Sequence, residues 1–288
     1  MRNDVYQVVT DRIIMLLESG TIPWRRPWKG GEPPQNFVSR KPYRGINVFL
    51  LNMTRFGSPF WLSFNQIQSI GASVRKGEHA CPVVFWKLFE VEAEKKEAET
   101  RKRTPLLRYY KVFNIEQCEN VALSLLPKLE VNEFQPIDRC DQLVAAMPKR
   151  PKIIHGGARA MYNPTQDEVT MPNSVSFDSP EFYYSTLFHE LTHATGHASR
   201  LTRKEIVEPI HFGSDPYSRE ELVAEMGAAF LCGHCGIDNC TIAESAAYIH
   251  GWLERLRDDR KLIVHAAAQA QKACDFIRNV EYPAGVAQ

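Results

Sequence analysis

Phe188-His189-Glu190-Leu191-Thr192-His193 decides how the second half of this chain is read. On a helix, residues four apart share a face, so His189 and His193 can present two imidazoles to one Zn²⁺ ion. Glu190 sits one residue on, angled toward a water beside that ion. This is the HExxH arrangement of a zinc metallohydrolase. The plain alternative is a helix with two surface histidines and a solvated Glu, and the flanking residues speak against it. Ser179-Pro180-Glu181 offers an N-cap hydroxyl, a proline at the first helical position and an early acid. Tyr183, Tyr184, Leu187, Leu191 and Ala194 recur at helical spacing, and Gly196 supplies a stop.

Two imidazoles leave a zinc under-coordinated. The metzincin pattern requires a histidine at position 199, which is Ser199, so that class is excluded. His197 falls off the right face. The next helical stretch, from Ser218 through Glu225, carries Glu221 and Glu225 one turn apart. One can bind the metal while the other accepts a hydrogen bond from a ligand histidine. Glu221 is the preferred third ligand, with Glu225 in support. A Ser218/Glu221 capping box would occupy Glu221 and hand the ligand role to Glu225.

The chain has 288 residues, enough for one large or two medium domains. No apolar run approaches a membrane span, and the start, from Met1 to Tyr6, lacks an apolar signal region. Seven cysteines without framework spacing suit a reducing cytosol. The expected location is therefore cytoplasmic, away from membranes. Charge is uneven: residues 1–111 hold 19 Lys/Arg against 10 Asp/Glu, leaving 16 and 24 of the chain totals of 35 and 34. A basic front and an acidic back indicate two tasks.

In chain order, residues 3–20 have the apolar stripe of a helix ended by Gly20. Trp24, Arg25, Arg26, Trp28 and Lys29 follow in a proline-bounded loop of aromatics among cations. Arg40, Lys41, Tyr43, Arg44, Asn47 and Trp61 continue that mixture, and Arg75 and Lys76 sit in a turn. Cations track phosphates while ring faces stack on bases, so these thirteen residues are the candidate contacts to single-stranded DNA. Against this, a single tryptophan can equally plug a core. Strands are expected at Pro82–Lys87 and Leu106–Phe113 around a charged loop at 90–103. A helix is expected over 138–147, a strand at Lys152–His155, and two more strands around Pro164–Asp167. An edge strand directly before the HExxH helix would hold a peptide by strand addition. Two packing helices close the chain, the first opened by a Thr241/Glu244 capping box. The cluster Cys232-Gly233-His234-Cys235, with Cys240, suggests a second zinc, but no second pair follows and Cys232 lies on an apolar face.

The Glu221–Glu225 pattern resembles the gluzincins, and the ImmA/IrrE-type peptidases in particular. Along most of its length the chain also resembles the ArdC-type antirestriction proteins of conjugative plasmids, a module found at the front of TraC-type primases. The resembling stretches are Gly20–Trp24 with Pro27-Trp28, Tyr43–Asn47, Gly71–Glu78, Val112–Asn114, His189–Gly196, Arg219–Leu231 and Tyr248–Leu256. The resemblance implies an α+β protein. Residues 1–128 would be a mixed α/β domain that binds single-stranded DNA, 129–150 a linker and connecting helix, and 151–288 a mainly helical zincin-like, gluzincin-type domain with a small sheet. It implies protection of incoming plasmid DNA from host restriction. A peptidase would use one Zn²⁺, or another divalent ion, on His189, His193 and Glu221. Glu190 would move the proton, one of His211, Tyr217 and Tyr248 would stabilise the oxyanion, and a host protein would be the substrate. The alternative is a non-catalytic DNA-binding protein whose metal is structural. A metal-dependent nuclease fits less well, because two-metal nuclease sites are richer in carboxylates.

Overall fold

A computed structural model describes residues 4–24, 33–54, 56–90, 103–122, 136–156, 159–208, 215–237, 239 and 246–280. The order of elements follows the expected pattern and gives an α+β chain. Helix α1 (Val5–Glu18) is opened by Asp4, whose carboxylate accepts from Tyr6 N at 3.0 Å. It buries Val9, Ile13 and Leu17, and Gly20 follows it in the left-handed region at φ +77°.

The N-terminal sheet has the order β1-β2-β5-β4, built from β1 (Gln35–Asn36), β2 (Phe60–Ser63), β4 (Cys81–Glu90) and β5 (Arg103–Asn114). The long β4–β5 pair is antiparallel, as the two sequence runs suggested. Trp61-Leu62-Ser63 belongs to β2. Ser63 is the N-cap of α3 (Phe64–Ser69), where it forms a reciprocal box with Gln66. A small ribbon joins β3 (Ser73–Val74) to β6 (Cys118–Glu119). Helix α2 (Ile46–Asn52) lies along the free edge of β4, where the Asn47 amide both donates to Val84 O and accepts from Val84 N at 2.7 Å. An otherwise exposed pair of strand groups is thereby satisfied.

The C-terminal half has α4 (Pro136–Ala146), a sheet of order β7-β9-β8, and the helices α5 (Pro180–Ala194), α6 (Lys204–Val207), α7 (Asp215–Cys235), α8 (Ala246–Asp258) and α9 (Leu262–Ile277). Its strands are β7 (Lys152–His155), β8 (Met161–Asn163) and β9 (Glu168–Met171). The strand directly before the HExxH helix is therefore not an edge. β9 is central, parallel to β7 and antiparallel to β8, because the short turn at Pro164–Asp167 folds β8 back on one side while β7 fills the other. The edges are β7 and β8. Helix α4, read from sequence as part of a connection, buries Cys140, Leu143 and Val144 and packs on α5, α7 and α9.

The two halves share one core. Phe49 of α2 stacks on Phe230 of α7 at 4.8 Å, and a single cluster of buried apolar residues runs from Val9 to Ile277. Arg44 is ion-paired with Asp275 of α9, and Gly45 N donates to Gln271 at 3.0 Å. Among the described residues, no helix is long and apolar enough to cross a membrane.

Candidate metal centre

Helix α5 starts where the sequence said it would: Ser179 accepts from Phe182 N at 3.2 Å, and Pro180 occupies the first turn. The helix ends at Ala194. Gly196 is not a left-handed stop; its value is space, since a Cβ there would lie 2.5 Å from Ile206 Cγ1. A second close approach lies deeper. A Cβ on Gly227 of α7 would meet Thr192 Cγ2 at 2.5 Å, so only glycine lets α7 sit this near α5, directly behind the motif.

That approach brings the donors together. His189 Nε2 and His193 Nε2 lie 3.1 Å apart, with Glu221 Oε2 at 3.5 Å from the first and Oε1 at 3.6 Å from the second. Among the described residues, this trio is the one group of His, Cys, Asp or Glu whose donor atoms could hold an ion, all within 4.8 Å of one another. Two imidazoles and a carboxylate suit zinc and its neighbours in the first transition row. The capping-box alternative fails because α7 begins at Asp215, which puts Ser218 inside the helix and buries it.

The electrostatics fit a cation. Burial of His189 disfavours its charged form, yet Glu221, Glu190 and Glu225 outweigh that and lift its pKa to about 8. Burial likewise works against Glu221, but His189, His193 and Tyr217 draw it down to about 2. Protons and a divalent ion thus compete for the same atoms.

A residue that the sequence reading passed over fixes the second imidazole. Glu220 Oε1 lies 3.1 Å from His193 Nδ1, which leaves Nε2 to face the donor trio. Glu220 is in turn gripped by Arg203, with Nε at 2.9 Å and Nη2 at 2.6 Å, while Arg203 also donates to Thr195 Oγ1 and to Thr192 O. Glu220, Arg203, Thr192 and Thr195 are all buried. The adjacent pair Glu220-Glu221 was a visible signal, but helix phase alone does not say which acid reaches which histidine. Glu225, expected to serve a ligand histidine, is held instead by Trp24 Nε1 at 2.8 Å and by the Tyr248 hydroxyl. Tyr217 lies against Glu221, and burial beside that carboxylate raises its pKa to about 12. His211 lies outside the described residues. Cys232 and Cys235 are buried in the core beside Cys140, whose thiol is pushed up by Cys235, and His234 is exposed. Cys240, Thr241 and Glu244 lie outside the described residues.

The DNA candidates divide. Trp24 and Trp61 are buried, at 0 % and 2 % exposure, so neither offers a ring face to a base. This corrects the sequence reading, and the reason is the size of the apolar indole together with a satisfied N–H in Trp24. Tyr43 is half-buried, and burial raises its pKa. Arg44 is engaged by Asp275 and Asn47 by the β4 edge, so both act within the fold. Arg40, Lys41, Arg75 and Lys76 are exposed. The Arg40 guanidinium lies over the Phe37 and Phe60 rings at 4.6 and 4.8 Å, and Arg75 reaches Glu78 at 3.1 Å. Arg25, Arg26, Trp28 and Lys29 lie outside the described residues.

A model of the N-terminal domain of anti-restriction factor ArdC matches residues 3–113, and a zincin-like metallopeptidase model matches residues 138–269. The crystal structure of the antirestriction ArdC protein from plasmid R388 in its metal-free form superposes with a TM-score of 0.76. Identity is 37 %, over 96 % of this chain and 97 % of that one. The chain belongs to the ArdC antirestriction family. The Mn(II)-bound R388 structure gives a TM-score of 0.75 at 36 % identity. A DNA primase TraC of Escherichia coli is 35 % identical over 94 % of this chain, which spans only 20 % of the primase. A protein of Sinorhizobium fredii, y4eC, is 33 % identical over 95 % of this chain and 91 % of its own length. A zincin-like domain implies a metal, and this ArdC-family chain has the donors for one.

Proposed function

We propose that this chain is an antirestriction protein with two working parts, a single-strand DNA-binding N-terminal domain and a zinc peptidase site. The observation that carries the second part is the donor trio of His189, His193 and Glu221 with Glu190 next to it. A divalent ion held there supplies Lewis-acid polarisation and lowers the pKa of water. Glu190 then accepts the proton of the attacking water and returns it to the leaving amine. Of the three candidate oxyanion donors, Tyr217 is the one that lies against Glu221, and it would supply that hydrogen bond. Glu220 holds His193 in the tautomer that a metal requires. The antiparallel edge strand β8, with Met161 half-exposed, offers main-chain groups to an extended peptide of a host protein. Zinc is the natural ion for this set, although the R388 relative was solved with Mn(II).

For the DNA part, the basic balance of the first 111 residues and the exposed Arg40, Lys41, Arg75 and Lys76 support phosphate contact. Kinship with the front of a primase points the same way. Protection of a transferred plasmid against restriction, with Glu190→Gln beside wild type, is the deciding experiment. Loss of protection with unchanged folding and DNA affinity supports the peptidase. Full protection by the variant leaves DNA occupancy as the function and the metal as structural.

A further inference from the structure

Trp24 belongs to the N-terminal domain by sequence, yet its indole ends in the metal half. It packs edge-on against Trp252 of α8 at 6.2 Å between ring centroids, and Tyr248, one turn earlier on α8, packs edge-on against the same Trp252. Its Nε1 donates to Glu225 Oε2 at 2.8 Å, and the Tyr248 hydroxyl donates to that same oxygen. Trp24 Nε1 and Tyr248 Oη are themselves 3.3 Å apart. Three segments, from the stretch after α1, from α7 and from α8, therefore converge on one carboxylate oxygen. Glu225 sits four residues after Glu221 and therefore on the same face of α7.

A tryptophan that only filled a hole would need its volume and no aimed donor. Here two donors on different elements take one oxygen, which fixes the carboxylate's orientation more tightly than packing would. Hydrogen-bonded groups around metal ligands set how well those ligands hold an ion, typically by ten- to a hundredfold. We infer that Trp24 is a positioning residue for the metal centre: with Tyr248 it anchors Glu225 on the face of α7 that carries Glu221, so metal affinity depends on a side chain of the N-terminal domain. This rests on the metal-site reading above.

The test is Mn(II) titration of the metal-stripped full-length protein, with free Mn(II) read by electron paramagnetic resonance. Trp24→Phe keeps an aromatic ring and removes the donor; its expected effect is about tenfold weaker binding. Tyr248→Phe removes the other donor from α8 and is expected to weaken binding comparably, which carries the test if Trp24→Phe does not fold. In a Glu225→Gln background, Trp24→Phe is expected to cost no further affinity, because the two act through one contact. Wild-type affinity in both single variants overturns the proposal, as does an equal loss from Trp24→Phe with and without Glu225. A wild-type protein that takes up no Mn(II) or Zn²⁺ overturns the metal reading itself, and the proposal with it.

Discussion

The α5–α7 contact and the N-terminal sheet use polar residues in opposite ways. Between α5 and α7, polar groups are held in a fixed chain of partners: His193 has Glu220, Glu220 has Arg203, and Arg203 has the end of α5. Across the N-terminal domain, the cations and aromatics that look alike in sequence scatter. Trp24 and Trp61 go inward, Arg44 and Asn47 serve the fold, and Arg40, Lys41, Arg75 and Lys76 face water. Chemistry at a point demands preorganised partners, whereas contact with a phosphate chain demands exposed charge. Composition alone does not separate exposed charge from structural charge.

The sharpest way to break this contrast is to remove the centre of the buried network. Arg203→Met leaves Glu220 buried without its cation and is expected to cost about 3–5 kcal/mol in urea unfolding, with metal affinity falling as well. A loss below about 1 kcal/mol would mean that the network is ornamental. Next, Gly227→Ala forces a methyl into Thr192 and is expected to cost about 1–3 kcal/mol by thermal unfolding. A smaller effect would mean that the helices separate easily.

On the other side, Lys41→Ala and Lys76→Ala are each expected to flatten the salt dependence of single-strand binding by about 0.7 in log–log slope, while Trp61→Phe leaves it unchanged. Equal effects from all three would erase the distinction between exposed and structural residues. The mildest test concerns Asp167. Its partial burial pushes the carboxyl up, but Arg200 and Tyr162 outweigh this and hold it below its ordinary 3.8. The stabilisation is present above that value and is lost as pH falls through the depressed folded pKa. Asp167→Asn is expected to lower stability by about 1 kcal/mol at pH 7 and to converge with wild type in strong acid, followed by denaturant midpoints across pH.

The candidate donor trio was legible because helix period is a strict ruler: a spacing of four puts His189 beside His193, and α7 repeats it between Glu221 and Glu225. What spacing cannot give is the rotation of α7 about its own axis relative to α5. That rotation assigns Glu220 to His193 and leaves Glu225 to Trp24. The β4–β5 pair was legible from two apolar runs around a charged loop. The central position of β9 was not, because pairing on both sides depends on where β7 and β8 return. Trp24 misled for a simpler reason: a tryptophan among arginines has the same sequence context whether its ring stacks on a base or fills a core.

The stack of Phe49 on Phe230 has a practical corollary. Neither half could bury that aromatic face by itself, so each completes a core that the other begins. Co-expressed as separate polypeptides, the halves would be expected to find each other, which makes this protein a candidate for split-and-reconstitute engineering.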